Sequence, residues 1–247
     1  MKKVFFSNSG AEANECAIKT ARKYSHDKYG DGRHTIITLK NSFHGRTLAT
    51  LTACGQESLH QDFGPFVDGF VYAEADNLTM SKTYAKRISL RIMMEMVQGE
   101  GGVHPLDKDF VKQVAAYAKA HDILIVVDEV QTGNGRTGYL YAYMGYGIEP
   151  DIVSTAKASG GRPALGRHHV CRFDGEDTDR PYPRLDLWRQ PDLHSRRHSI
   201  IDRLTPEIDG RSTEKGSVYQ RRTGTVPTRR PRLRQWLMIG IALRIKT

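Results

Sequence analysis

The sequence predicts an α/β fold in which a mostly parallel sheet is covered by helices on both faces. Short segments rich in β-branched residues alternate with longer segments of helical periodicity through the first two thirds of the chain. The strand segments are apolar almost throughout, which is typical of parallel strands buried on both faces. Because ligands of such sheets bind at the carboxyl ends of the strands, we expect the functional residues there.

Two helices and five strands are predicted in the first part of the chain. Residues 12–24 carry small and apolar side chains at helical spacing, and residues 107–121 have a continuous apolar helical face. The predicted strands are residues 34–39, 69–72, 92–96, 123–127 and 151–155. Their order with the helices gives the alternation on which the fold prediction depends.

Composition excludes several classes of protein. The chain has 247 residues, 38% of them hydrophobic, so it is long enough for one large domain or two small ones. The longest apolar run, 237–243, is far too short to cross a bilayer. Three widely spaced cysteines without a CxxC motif favour a reduced chain over a disulfide scaffold or a zinc site. We therefore expect a cytoplasmic protein with no membrane segment and no metal site.

Charge divides the chain at Gly161. Residues 1–161 hold 18 Lys and Arg against 18 Asp and Glu, so this part is neutral. The whole excess of +9 lies in residues 162–247, where 17 of the 19 basic residues are Arg. Long stretches of this second part have no helical or strand periodicity. We predict a folded, ligand-binding part at 1–161 and a mostly disordered, Arg-rich tail at 162–247.

Two segments near the start of the chain are candidates for ligand binding. Residues 8–15, NSGAEANE, form a small-residue turn that opens a helix, where backbone N–H groups bind phosphate well. Such a turn is more often a simple helix cap. Residues 43–47, FHGRT, place an aromatic ring for stacking on a planar ligand near a guanidinium that pairs well with a carboxylate. An ordinary exposed loop explains this second segment equally well.

Two further candidates follow the last two predicted strands. Asp128 and Glu129 end a buried apolar strand, where a carboxylate needs a cationic partner such as a protonated ring nitrogen, an Arg or a metal ion. A helix cap, a structural ion pair or a Mg²⁺-dependent nucleotide hydrolase also fits, but the last needs a G-x-x-x-x-G-K-[ST] loop that this sequence lacks. Lys157 follows the strand at 151–155, where a desolvated amine can form a Schiff base, although most lysines are simply solvated.

Taken in order, these motifs are much more specific than any one alone. NSGAEANE, SFHGRT, QGEGGV, DEVQTGNGRTG and EPDIVSTAK cover most of residues 3–161 and resemble the class III aminotransferases, which use pyridoxal 5'-phosphate. The resemblance implies the large domain of the fold type I pyridoxal-phosphate enzymes. It also implies transamination of acetylornithine or a similar ω-amine with 2-oxoglutarate, as in arginine biosynthesis, by a homodimer.

The resemblance also implies a role for each site residue. Lys157 would form the Schiff base with the cofactor and shuttle the proton at the substrate α-carbon, and Asp128 would keep the pyridine nitrogen protonated. Arg46 would bind the substrate carboxylate, and Glu100 would take part in substrate discrimination. The other implied cofactor contacts are Ser9, Gly10 and Ala11 at the phosphate, Phe43 and Val130 on the two ring faces, Gln131 at the phenolic oxygen, and Glu129 beside Asp128.

The resemblance is interrupted in three places. The family has further residues before the position of Met1, and residues 79–91 and most of 162–247 depart from its pattern. Reading the codons of residues 183–191 one base later permits His-Gly-Ser-Thr-Phe-Gly-Gly-Asn-Pro, a family motif that is otherwise missing. Residues 199–207 and 237–243 resemble the family again in frame. Our hypothesis is a frameshifted gene or a sequencing error, with disorder at 162–198 and 210–235.

Two other functions are open at this point. The chain is an inactive fragment that binds the cofactor without turning over substrate, if the missing parts are needed for catalysis. Alternatively, the tail binds nucleic acid through a dense group of basic residues. This group consists of Arg221, Arg222, Arg229, Arg230, Arg232 and Arg234. Nucleic acid is the weaker alternative, because a frame change explains the Arg-rich composition without a function for it.

Overall fold

A computed structural model of the chain describes residues 3–7, 9–77, 91–157 and 167–171. The strands are β1 Lys3–Ser7, β2 Ile36–Leu39, β3 Phe70–Ala73, β4 Arg91–Met94, β5 Val97–Gln98, β6 His104–Pro105, β7 Ile125–Asp128, β8 Ile152–Ser154 and β9 Arg167–Cys171. The helices are α1 Gly10–Tyr29, α2 Leu48–Ala53, α3 Lys108–Ala120 and α4 Ala142–Tyr146, with a 3₁₀ turn at Glu57–Leu59.

Seven strands form the main sheet, in the order β1-β9-β8-β7-β4-β2-β3, and β5 and β6 form a separate hairpin. The five strands from β8 to β3 are parallel, while β9 runs antiparallel to both of its neighbours. The predicted α/β class with a mostly parallel sheet is therefore confirmed. The five predicted strands correspond to β2, β3, β4, β7 and β8, with bounds that differ by at most two residues.

Strand β9 corrects one expectation. Residues 162–198 were expected to be disordered, yet Arg167–Cys171 pair with β1 on one side and with β8 on the other. A β ladder is made by backbone N–H and C=O groups, so an extended segment can complete a sheet without a strong apolar pattern. The expectation is wrong for these five residues. The remainder of 162–198 and all of 210–235 lie outside the described residues.

Helices cover both faces of the sheet, because successive strand residues point to opposite faces. On one face, Ala17, Ile18 and Ala21 of α1 pack in a cluster with Ile36 and Met93. The small side chains of α1 let this helix lie close to the sheet.

On the other face, α3 packs against the residues that alternate with the first set. Phe110, Val111 and Val114 of α3 share a second core cluster with Ile37 and Met94. The helix begins after Asp107, whose carboxylate accepts hydrogen bonds from the backbone N–H groups of Asp109 and Phe110, both at 2.9 Å. The predicted helix at 107–121 thus forms, and its predicted apolar face is buried.

Helix α1 is longer than the helix predicted at 12–24. It begins at Gly10 after the cap residue Ser9 and ends at Tyr29, and the next residue, Gly30, has a left-handed φ of 73°.

No helix in the described parts of the chain is both long enough and apolar enough to span a membrane.

Candidate active site

The side chains that could bind a ligand or take part in catalysis lie at the carboxyl ends of the central parallel strands. Asp128 is the last residue of β7, Glu95 directly follows β4, and Lys157 lies three residues after β8. Since β4 pairs with β7 and β7 pairs with β8, all three residues lie at one edge of the sheet. This is the edge at which the sequence predicts the site.

Asp128 is held by three hydrogen-bond donors in the protein interior, where it is 3% exposed. Its Oδ2 accepts from Asn14 Nδ2 at 2.7 Å and from His44 Nδ1 at 2.9 Å, and its Oδ1 accepts from the backbone N–H of Val130 at 2.9 Å. Such donors favour the ionised carboxylate. Because a carboxylate oxygen has two acceptor positions, Oδ1 can accept one more hydrogen bond.

His44 is fixed as firmly as the carboxylate that it contacts. Its side chain is 1% exposed, and its backbone N–H donates to Cys54 Sγ at 3.2 Å. A carboxylate oxygen only accepts hydrogen bonds, so His44 Nδ1 carries the proton in its contact with Asp128. Nε2 is buried and has no hydrogen-bond partner. His44 therefore acts toward Asp128 as an oriented N–H donor.

The start of α1 lies beside this carboxylate. The first N–H groups of a helix have no acceptor within the helix, so those of Gly10 and Ala11 suit an anionic group. Ser9 Oγ accepts from the backbone N–H of Glu12 at 3.0 Å, so the Ser9 hydroxyl serves as the helix cap. A Cβ built on Gly10 lies 2.8 Å from Val130 Cγ1, which brings the helix start against the segment that follows Asp128.

Gly10→Ala is expected to destabilise the chain by about 1–3 kcal/mol, because the added methyl group overpacks this contact. The new Cβ would lie 2.8 and 3.0 Å from the two Cγ atoms of Val130, closer than packed carbon atoms allow. Urea unfolding followed by circular dichroism measures the change. In the double variant Gly10→Ala with Val130→Ala, we expect the loss to be smaller than the sum of the two single losses, since the methyl group then has room. Strict additivity would contradict the packing argument.

The aromatic loop at 43–47 is anchored to the same edge of the sheet. The backbone N–H of Phe43 donates to Glu95 Oε2 at 3.0 Å, and a Cβ on Gly45 would lie 2.8 Å from that of Ala11. The Phe43 ring is half-buried, and Arg46 Cζ lies 5.7 Å from the centre of that ring. The Arg46 side chain is exposed. The loop thus presents one ring and one guanidinium beside the start of α1.

Gln131 and Glu100 lie on neighbouring segments. A Cβ on Gly99 would meet Gln131 Oε1 at 2.7 Å, so the hairpin turn after β5 packs directly on this amide. Glu100 is exposed, and its Oε2 accepts from Gln56 Nε2 at 2.5 Å. Glu100 is therefore held at the rim rather than among the buried groups around Asp128.

Lys157 is exposed and has a left-handed φ of 57°. The preceding residue is held by Asn134, whose Nδ2 donates to the carbonyl of Ala156 at 3.2 Å. Ala156 also lies near Gly10, with 3.5 Å between its Cβ and a Cβ built on the glycine. The structure therefore brings Gly10, Val130 and the residue before Lys157 together, while the roles proposed for them stay predictions.

Glu95 is a site residue that the sequence reasoning missed. Burial raises its pKa well above the ordinary range, repulsion from Asp128 raises it further, and the positive charge of Lys157 acts in the opposite direction. The side chain is 3% exposed and accepts from the backbone of Phe43. In the sequence Glu95 lies within the predicted strand 92–96, whereas Asp128 directly follows the predicted strand 123–127.

Glu129 is fully buried, and its contacts lie within the segment after β7. Its Oε1 accepts from the backbone N–H of Tyr143 at 2.9 Å, and its Oε2 accepts from the hydroxyl of Thr132. Burial raises its pKa to about 7, although these hydrogen bonds favour the ionised form. The structure thus joins Glu129 to the chain around α4 and not to the other predicted cofactor residues.

Glu129→Gln is expected to remove a loss of stability that occurs as the pH rises from 4.5 to about 7. The folded-state pKa of Glu129, about 7, lies above the ordinary value of 4.5. The stability that comes from the protonated carboxyl is therefore fully present below pH 4.5 and is lost as the pH rises through 7. A glutamine can accept from Tyr143 and donate to Thr132. We expect the variant to lose about 2–3 kcal/mol less than the unmodified chain between pH 5 and 8. Urea unfolding at both pH values measures this, with the exposed Glu149→Gln as the control; equal losses would contradict the argument.

Comparisons with known proteins show which family this chain resembles. The family model for aminotransferase class III matches residues 1–168. Acetylornithine aminotransferase of Haemophilus ducreyi is 42% identical over 242 residues, which are 98% of this chain and 62% of that protein. Succinylornithine transaminase of Salmonella paratyphi B is 48% identical over 165 residues, 67% of this chain and 40% of that protein. The chain therefore spans less than two thirds of the length of these relatives.

Solved structures show the same fold. An aminotransferase of Bacillus anthracis superposes with a TM-score of 0.80 at 26% identity, over 91% of this chain and 57% of that one. Ornithine aminotransferase of Toxoplasma gondii gives a TM-score of 0.81 at 24% identity, over 90% of this chain and 54% of that one. The second likeness is one of fold alone. The predicted fold type I architecture is confirmed by both.

The sequence match extends further along the chain than the predicted boundary at Gly161. The alignment with the Haemophilus protein crosses this boundary and includes most of residues 162–247, whereas the Salmonella alignment covers two thirds of the chain. The family model covers more than half of the chain and includes every predicted site residue. The chain belongs to the class III aminotransferase family.

Proposed function

We propose that this chain carries the active site for pyridoxal-phosphate-dependent transamination between acetylornithine, or a similar ω-amine, and 2-oxoglutarate. The observation that carries the proposal is Asp128, a buried carboxylate with three donors and one acceptor position left. It lies at the sheet edge that also holds the start of α1 and Lys157. Relatives named for acetylornithine and succinylornithine support the donor class.

The residues present fit pyridoxal phosphate. The first backbone N–H groups of α1, at Gly10 and Ala11, have no acceptor within the helix and suit an anionic group. Asp128 offers an ionised acceptor in a buried setting, which suits a protonated ring nitrogen. When bound, the cofactor supplies an electron sink for the electron pair left at the substrate carbon that bears the transferred amine.

The work of the protein is to hold charges and move one proton. Asn14, His44 and the Val130 backbone donate to Asp128, and a charged carboxylate at this position would keep the ring nitrogen protonated. The Lys157 amine would attach the cofactor and then remove and return the proton at the substrate carbon that bears the transferred amine. The Gly10 and Ala11 N–H groups would bind the phosphate.

Substrate recognition is assigned to the exposed rim of the site. Arg46 would bind the substrate carboxylate, because a guanidinium pairs with a carboxylate through two parallel hydrogen bonds. Phe43 would stack on the ring, and Arg46 lies against that phenyl ring. Glu100, held by Gln56, would act in discrimination between donors.

Coupled assays of glutamate formation test this function. The full chain is loaded with pyridoxal phosphate and mixed with 2-oxoglutarate and one donor at a time: acetylornithine, succinylornithine or ornithine. We expect glutamate to form with an acylated donor at a higher kcat/KM than with ornithine. Bound cofactor with no glutamate from any donor would overturn the proposal in favour of the inactive cofactor-binding fragment. The comparisons favour neither that alternative nor nucleic-acid binding by the tail.

Two further predictions belong to the same proposal. A homodimer is expected, and light scattering of the purified chain measures its mass directly.

The division at Gly161 and the change of reading frame after it are tested by resequencing the gene across the codons for residues 75–240. A missing base would support the frame hypothesis, and an unchanged sequence would contradict a sequencing error.

A further inference from the structure

Asn14 lies at the centre of the site, although it is not one of the predicted cofactor contacts. It lies in the second turn of α1 and is 1% exposed. Its Nδ2 donates to the carbonyl of His44 and to Asp128 Oδ2, both at 2.7 Å, and its Oδ1 accepts from Ser154 Oγ. One side chain thus connects α1, the aromatic loop, β7 and β8, the four segments that carry the predicted cofactor contacts.

Every polar atom of this amide is used, so its orientation is fixed. Both N–H groups of Nδ2 face oxygen acceptors, and Oδ1 faces a hydroxyl donor. The opposite orientation would place an oxygen against the Asp128 carboxylate. A fully satisfied buried network of this kind holds its members in one arrangement.

We propose that Asn14 is the positioning residue for Asp128, fixing Oδ2 so that Oδ1 is presented to the protonated ring nitrogen of the cofactor. The inference rests on the proposed function and deepens it. Asn14 and His44 Nδ1 together occupy the acceptor positions of Oδ2, and Val130 N–H takes one position on Oδ1. These three donors fix the direction of the one acceptor position that remains on Asp128 Oδ1. Of the three, only Asn14 belongs to α1, the helix whose start would bind the phosphate.

Asn14→Asp is the sharpest test, because it keeps the shape of the side chain and removes its donors. Oδ1 can still accept from Ser154, but the second oxygen would face Asp128 Oδ2 and the His44 carbonyl. We expect the affinity for pyridoxal phosphate to fall about tenfold to a hundredfold, the value of one hydrogen bond to a charged group. The pyridine ¹⁵N resonance of ¹⁵N-labelled cofactor, bound at saturation, should move toward the position of the unprotonated ring.

Ser154→Ala is the matched control. It removes the donor to Asn14 Oδ1 and leaves both Nδ2 contacts in place. We expect a loss of affinity of about fivefold or less, the value of one neutral hydrogen bond, with an unchanged ¹⁵N resonance. Thermal unfolding of the cofactor-free variants shows whether each one folds. If Asn14→Asp does not fold, Asn14→Ala removes the same donors without adding a charge and is measured in its place.

The outcomes separate this inference from the proposed function. A shifted ¹⁵N resonance in the Asn14 variant together with an unshifted one in the Ser154 variant supports the positioning role. Equal losses of stability and affinity in both variants, with the resonance unchanged, show that Asn14 only stabilises the fold and overturn the inference alone. An unmodified chain that does not bind pyridoxal phosphate overturns the proposed function, and the inference with it.

Discussion

Replacing Lys157 with alanine is expected to reduce transamination by about 10²–10⁴-fold, the contribution of a positioned general base. The same change should abolish exchange with solvent deuterium at the donor carbon that bears the transferred amine, which is Cδ in acetylornithine, since no other amine is predicted to reach that proton. Proton NMR of the donor in deuterated buffer measures the exchange directly. The backbone at this position already has a φ of 57°, and alanine has the same conformational preferences as lysine there, so the fold should be unaffected.

Lys119→Ala is the matched control for this variant. Lys119 is exposed in the last turn of α3 and lies outside the predicted site. Its loss should leave both the rate and the hydrogen exchange at the values of the unmodified chain. Undiminished hydrogen exchange in the Lys157 variant would show that another group moves the proton, and the assignment of Lys157 would be wrong.

Replacing Asp128 with asparagine is expected to reduce transamination by about a hundredfold to a thousandfold, as for the loss of one preorganised electrostatic partner. The amide keeps the size of the side chain but carries no charge to hold the ring nitrogen protonated. It also turns an N–H group toward one of the three donors that now bind the carboxylate. Steady-state kinetics with 2-oxoglutarate and the preferred donor measure the loss.

The change should fall mainly on kcat, because the ring charge is needed during proton removal more than in substrate binding. Asp122→Asn is the control, because it makes the same chemical change away from the site. Asp122 is exposed and pairs with Lys28 at the surface. A rate within a factor of two of the unmodified chain, for an Asp128 variant that folds and binds the cofactor, would contradict the role of the carboxylate.

Local pattern was enough to predict the fold class and its main elements. The helix α3 has Asp107 at its start and a continuous apolar face, and each of the five parallel strands is short and mostly apolar. The location of the site followed from one topological rule, because parallel strands end at the same edge. That rule identified Asp128 and the lysine after β8 from their positions alone.

The contacts that hold Asp128 could not be predicted, because they join residues far apart in the sequence. Asn14 lies 114 residues from Asp128, and His44 lies 84 residues from it. Both are in motifs that the sequence analysis singled out, but the motifs do not show which side chains turn inward. Glu95 was missed for a different reason. A single glutamate in an apolar run is expected to point to solvent, and only the structure shows that this one is buried.

Strand β9 shows where composition gives the wrong answer. The Arg-rich, aperiodic sequence after Gly161 predicts disorder, yet residues 167–171 complete the sheet between β1 and β8. The free edge of β8 offers a row of backbone hydrogen-bonding groups to any extended segment. Pairing of this kind depends on the neighbouring strands and is not visible in the local pattern.

Borohydride reduction of the chain mixed with pyridoxal phosphate tests the central claim most directly. Reduction turns a Schiff base into a stable secondary amine, and peptide mapping by mass spectrometry then locates the modified lysine. We predict one dominant adduct, on the peptide that contains Lys157, formed at cofactor concentrations that leave the surface lysines unmodified. An adduct spread evenly over many lysines, or absent from Lys157, would contradict the assignment of this sheet edge as the cofactor site.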